Sequence, residues 1–230
     1  MNRGLPPPLV ALSPGDLAGR GADGRVIFLH AAREAIAAGL RGILVREPGM
    51  HDGPLLELAR EVRRILGAGG WLAVHDRIHL AADCGAQAVH LGYRSLAPDV
   101  ARSLLPGETA LGFSGHAGDD TASWDACDYL FLGPVRDTPS KRGFKDPIGF
   151  ERLAQELRRS SVPVWAIGGL EAANVADCAR SGCAGLAVRS RLLAAPDPAQ
   201  ATLEFVREID SSRFRGVPER SFHSGEGGPS

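Results

Sequence analysis

Between Leu9 and Ile209 the chain repeats one pattern eight times: a short apolar run, a polar or glycine-rich turn, and a longer stretch with apolar residues three or four apart. The runs fall at 9–12, 42–45, 71–74, 88–91, 110–114, 129–132, 162–167 and 185–188. They show little alternation of apolar with polar residues, so strands built from them are buried on both faces, as in a parallel sheet covered by helices. The stretches at 26–38, 54–66, 78–84, 98–105, 149–159, 172–181 and 198–209, with a weaker one at 120–126, supply the helices. Several stop at a breaker: Gly39, Gly67, Gly85, Pro106, Gly182. Eight units of similar length close into a single (β/α)8 TIM barrel more readily than they extend as an open doubly wound sheet. The pattern predicts one barrel domain over residues 1–210. Residues 211–230 mix Arg, Pro, Gly and Ser without periodicity and are predicted to be a disordered tail.

Charge and cysteine usage restrict the partners. With 26 basic and 27 acidic residues the net charge is −1, which gives no electrostatic reason to bind nucleic acid or an anionic membrane. No apolar run approaches the length of a membrane span, and the start, Met1-Asn2-Arg3-Gly4-Leu5, lacks the apolar core of a signal peptide. A soluble, cytoplasmic protein is expected. Cys84, Cys127, Cys178 and Cys183 stand singly, with no C-x-x-C pair, and read as reduced core thiols.

In a barrel the chemistry collects at the C-terminal ends of the strands. Arg46-Glu47 follow the second run, His75-Asp76-Arg77 the third, Tyr93-Arg94-Ser95 the fourth, and Ser114 and His116 the fifth. Gly168-Gly169 follow the seventh and Arg189-Ser190 the eighth. After the sixth comes the densest stretch of donors, Leu132-Gly133-Pro134-Val135-Arg136-Asp137-Thr138-Pro139-Ser140-Lys141-Arg142-Gly143. Cations, short hydroxyls and glycines together suit an anion, although the same residues also make a plain turn. With the backbone after the seventh and eighth strands, this loop is expected to hold a phosphomonoester. His116 sits beside Ser114 and small residues, where an imidazole can take and return a proton near neutral pH. His90, inside a strand, reads as a packing residue, and Asp76 reads either as a helix N-cap beside Arg77 or as the carboxylate of the site.

The motifs Leu44-Val45-Arg46-Glu47, His75-Asp76-Arg77, Val89-His90-Leu91-Gly92, Gly112-Phe113-Ser114-Gly115-His116, the loop 133–143, Ala166-Ile167-Gly168-Gly169 and Ala187-Val188-Arg189-Ser190 resemble the thiamine phosphate synthase superfamily. The resemblance runs over about residues 9–209. It implies either of two activities: joining a hydroxymethylpyrimidine diphosphate to a thiazole phosphate with loss of diphosphate, or aromatising a thiazole phosphate carboxylate, as thiazole tautomerase does.

Departures from the synthase pattern divide the two. Synthases that this chain resembles have Lys after Arg-Glu, Asn before Asp-Arg and a second magnesium-binding Asp after His-Leu-Gly; here Pro48, His75 and Ser95 stand there. The thiazole phosphate half is retained. Thr138, Ser140 and Lys141 match its Thr-x-Thr-Lys, while Gly168, Gly169, Val188 and Ser190 match its phosphate floor, with Arg46 and Ser114 in the neighbouring motifs. The resemblance therefore implies first a tautomerase-like isomerase without metal or other cofactor, in which His116 is catalytic. The turn Leu91-Gly92-Tyr93-Arg94-Ser95-Leu96 also looks like the tautomerase branch. The alternative is a thiamine phosphate synthase that uses Mg²⁺ on Asp76, with Arg94 or Arg136 replacing the lost lysine. A third reading is a non-catalytic binder of thiazole or thiamine phosphate. In each the partner is a small phosphorylated thiazole; related barrels often pair, so the resemblance allows a homodimer, while the sequence leaves the oligomeric state open.

Overall fold

Each apolar run forms a strand: β1 (Leu9–Leu12), β2 (Gly42–Val45), β3 (Trp71–His75), β4 (Ala88–Leu91), β5 (Ala110–Gly115), β6 (Tyr129–Leu132), β7 (Val164–Ile167) and β8 (Gly185–Val188). In this computed structural model, which describes residues 4–137 and 146–214, the strands pair in chain order. All pairs are parallel, and β8 closes on β1 with Val10 opposite Ala187. The observed fold is the (β/α)8 barrel that the eightfold pattern predicts.

Six α-helices cover it among the described residues: α1 (Gly21–Ala37), α2 (Asp52–Leu66), α3 (Pro98–Leu104), α4 (Gly149–Leu157), α5 (Val175–Ser181) and α6 (Pro198–Ser211). α2 shows why such segments fold. Leu55, Leu58, Ala59, Val62 and Leu66 make one buried stripe, each leucine contributing about 2 kcal/mol by leaving water. Asp52 in its first turn and Arg63 and Arg64 in its last match the helix dipole.

Three expectations need correction. α1 starts at Gly21, not at 26, because its first turn is largely exposed and carries no apolar signature; Val26 and Ile27, which suggested the start, are themselves exposed. The stretches 78–84 and 120–126 form only short 3₁₀ turns, Ile78–Leu80 and Thr121–Trp124. Ser211, assigned to the tail, is the last residue of α6, while residues 215–230 lie outside the described residues.

The core has two layers. One lies between strands and helices. The other fills the barrel interior, where Trp71, Tyr129, Phe131 and Trp165 interlock with Ala73, Ala88, Ala110 and Ala187. The Trp71 indole donates to the Gly4 carbonyl at 2.5 Å and the Trp165 indole to the Pro7 carbonyl at 2.8 Å, so the lead-in segment closes the barrel base. The four cysteines are buried and none of them forms a disulfide, and burial pushes the Cys127 thiol up to about 12 and that of Cys183 to about 11. Among the described residues no helix is long and apolar enough to cross a membrane.

Candidate active site

With the base closed, the C-terminal strand ends open onto a cavity of about 820 Å³. Leu12, Leu44, Phe131, Ile167 and Ala187 give it an apolar floor, and Arg46, Arg94 and Arg189 stand around it. Of the residues singled out in the sequence, Arg46, Ser114, His116, Gly168, Gly169, Val188 and Ser190 all line this cavity. Thr138, Ser140 and Lys141 lie outside the described residues.

The Arg46-Glu47 pair divides its labour. Glu47 is only 3 % exposed, and its carboxylate accepts the backbone N–H groups of Gly15 and Leu17, each at 2.8 Å. It thereby pins the loop after β1. The Arg46 backbone N–H is held by Ser13 Oγ at 2.8 Å, leaving its guanidinium to the cavity. Burial holds the Arg46 pKa below its ordinary value, and the charges of Arg189 and Arg94 push the same way against Asp76 and Glu47. Cations held together against their mutual repulsion suit a neighbouring anion.

Asp76 is not a helix cap. Its φ of 61° puts it in the left-handed region, which an aspartate tolerates better than most residues. One carboxylate oxygen accepts the Ser95 hydroxyl and the other lies 3.1 Å from His75 Nδ1. Burial alone would raise its pKa, but the His75 and Ser95 hydrogen bonds and the charges of His75 and Arg77 outweigh that, leaving it below the usual carboxylate range. Arg77 turns away to Asp52 at 2.8 Å, where His79 also lies at 2.8 Å. Two of the three departures from the synthase pattern, His75 and Ser95, thus converge on the one retained carboxylate. Mg²⁺ is ordinarily anchored by carboxylates plus phosphate oxygens. Here both oxygens of Asp76 are engaged, and among the described residues no group of three His, Cys, Asp or Glu could hold a metal ion. The donor set does not fit a two-carboxylate magnesium seat.

His116, 9 % exposed, sits in the turn after β5, its backbone N–H donating to Asp119 Oδ2 at 2.7 Å and its Nδ1 3.6 Å from the same oxygen. The Tyr93 ring meets it edge-on at 6.3 Å. Gly169 has a packing role besides lining the cavity: a Cβ there would lie 2.3 Å from the Asp137 carbonyl. His90, read as a packing residue, is 1 % exposed and packs on Phe131, and it has a second role. It reaches the cavity between the Tyr129 hydroxyl and Ser114. Strand alternation is the signal that could have found it, since Val89 and Leu91 face the helices and His90 therefore faces inward.

A closed parallel barrel whose strand ends open onto a cavity with an apolar floor and several arginines is the layout in which such barrels bind small molecules. The family model for thiamine monophosphate synthase matches residues 18–192. The chain is 37 % identical over 180 residues to the thiamine-phosphate synthase of Albidiferax ferrireducens, covering 77 % of this chain and 82 % of that one. It is 35 % identical over 191 residues to that of Moorella thermoacetica, covering 82 % and 90 %. The thiamine phosphate pyrophosphorylase of Pyrococcus furiosus superposes with a TM-score of 0.76 at 24 % identity, over 91 % of this chain and 97 % of that one, which speaks to fold. The chain belongs to the thiamine monophosphate synthase family, and with it to the enzymes of thiamine biosynthesis. These relatives are named as synthases, which favours the reading placed second from sequence over the tautomerase-like isomerase.

Proposed function

We propose that this chain joins a hydroxymethylpyrimidine diphosphate to a thiazole phosphate, releasing diphosphate. The observation that carries this reading is the gathering of Arg46, Arg94 and Arg189 around one cavity of about 820 Å³. The isomerase's substrate carries a phosphomonoester and a carboxylate on one ring, whereas a diphosphate beside a phosphomonoester brings more negative charge and a second ring, and so needs more cationic charge and more room. The names of the relatives support the same reading.

In this reaction the thiazole nitrogen forms a C–N bond to the pyrimidine methylene as the C–O bond to diphosphate breaks and its electron pair leaves with the phosphate oxygen. The apolar floor takes the two rings and excludes water from the carbon under attack. The guanidiniums meet the charge that builds on the leaving oxygens. Gly168, Gly169, Val188 and Ser190 are assigned to the thiazole phosphate. No step is assigned to Mg²⁺, because the donors around Asp76 do not fit it.

A second reading, the tautomerase-like isomerase with His116 moving a ring proton, is favoured by one observation: Asp76 is closed off by His75 and Ser95. Supplying both half-substrates and following diphosphate release tests the first reading, and following absorbance of the thiazole phosphate carboxylate tests the second. Binding without turnover in either assay would leave a binder.

A further inference from the structure

The cavity floor holds a hydrogen-bonded column that the proposed reaction does not use. His75, His90, Gly112 and Tyr129 occupy one row of the sheet, each opposite the next across β3, β4, β5 and β6. Gly112 leaves the gap that the Tyr129 ring crosses, since a Cβ there would lie 2.1 Å from Tyr129 Cζ. The Tyr129 hydroxyl thereby comes within 3.2 Å of His90 Nδ1, and His90 Nε2 lies 2.8 Å from Ser114 Oγ. The His90 ring rests against Phe131 at 4.3 Å.

Counting protons fixes the direction of these bonds. A neutral imidazole has one N–H and one lone pair. Burial drives the His90 pKa well below its ordinary value, so the ring is neutral, while burial raises that of Tyr129, which keeps its proton. Tyr129 is fully buried, and among the described residues its hydroxyl meets only His90. If it accepted from Nδ1–H, its own O–H would be buried without an acceptor among the described residues, which is the costlier arrangement. It therefore donates to Nδ1, and the His90 proton sits on Nε2 and is given to Ser114 Oγ. Ser114 lines the cavity beside Phe131 and has its own O–H left to give.

We propose that Tyr129 and His90 are positioning residues that make Ser114 an obligatory hydrogen-bond donor into the apolar floor, selecting a heteroaromatic ring that presents an unprotonated acceptor at its edge. The ring, and not a phosphate, is the partner because Ser114 lies opposite Phe131 in the sheet register, and Phe131 packs in the barrel interior with Leu12, Leu44 and Ile167. The selection of a ring rests on the reading of the cavity as a seat for phosphorylated heteroaromatic rings. The tautomer does not.

Two-bond ¹⁵N–¹H correlation spectra of the full chain at neutral pH, with the His90 signals identified by His90→Gln, test the column directly. The expected result is protonated Nε2 and bare Nδ1, changing to a mixture in Tyr129→Phe; a protonated Nδ1 in the wild type overturns the proposal. Should His90→Gln fail to fold, loss of the bare-Nδ1 signal in Tyr129→Phe identifies the residue. In steady-state assays Ser114→Ala and Tyr129→Phe should raise KM for one ring substrate about tenfold with a smaller change in kcat. An unchanged KM for both substrates with the predicted tautomer overturns the selection alone. Absence of turnover in the wild type would defeat the proposed reaction and leave the tautomer result standing; ring selection is then read from calorimetric binding of the thiazole alcohol to wild type and Ser114→Ala, equal affinities overturning it.

Discussion

Ser95 donates its hydroxyl to the Asp76 carboxylate across the gap between the ends of β3 and β4, and so occupies the group that a divalent cation would need. His75 engages the other oxygen at 3.1 Å. The double change Ser95→Asp with His75→Asn supplies a second carboxylate and frees the first. It is expected to tighten Mn²⁺ binding, followed by electron paramagnetic resonance, by about tenfold or more over wild type. Equal affinity would show that the closed pair does not limit metal binding.

Asp76 also sets an acid limit. Its pKa is depressed in the folded chain despite burial, by His75 and Ser95 foremost among the opposing influences. A depressed carboxylate stabilises the fold above its unfolded pKa, about 3.9, and that contribution is lost as pH falls through the lower folded value. Thermal melts of Asp76→Asn should therefore fall below wild type near neutrality, with the gap closing below about pH 4. A constant gap across that range would contradict the assignment.

Glu47 serves the fold and not the chemistry. Removing its carboxylate in Glu47→Ala leaves the buried Leu17 N–H and the Gly15 N–H without acceptors, for a loss of about 3 kcal/mol. In a barrel of this size that lowers Tm by roughly 6–12 °C in calorimetry.

Gly112 and Tyr129 should behave as a coupled pair. Gly112→Ala alone forces a Cβ into the Tyr129 ring and is expected to destabilise by about 2 kcal/mol. Adding Tyr129→Leu vacates that space, so the double change should cost less than the sum of the singles by roughly 1 kcal/mol or more in denaturant titrations.

The barrel was legible because each strand announces itself locally: an apolar run, a stop, then helical spacing. Where the signal is not local the sequence is mute. The stretches 78–84 and 120–126 carry helical spacing, yet they settle into short 3₁₀ turns. Among site residues, Arg46, Ser114, His116, Gly168, Gly169, Val188 and Ser190 could be found because strand ends are countable. The contacts that give them meaning could not. Asp76 with Ser95, in the turns after β3 and β4, and His90 with Tyr129, on β4 and β6, are 19 and 39 positions apart, and only the closed register brings them together.

The central claim is that the guanidiniums around this cavity serve a diphosphate leaving group. Wild type and Arg46→Gln, each given the pyrimidine diphosphate and the thiazole phosphate, should be compared for diphosphate and thiamine phosphate formed. The account predicts equal amounts of both products from wild type and a loss of about a hundredfold or more in turnover for the variant, the scale of removing one charge-stabilising donor. No diphosphate from wild type, together with aromatisation of the thiazole phosphate carboxylate, would contradict it.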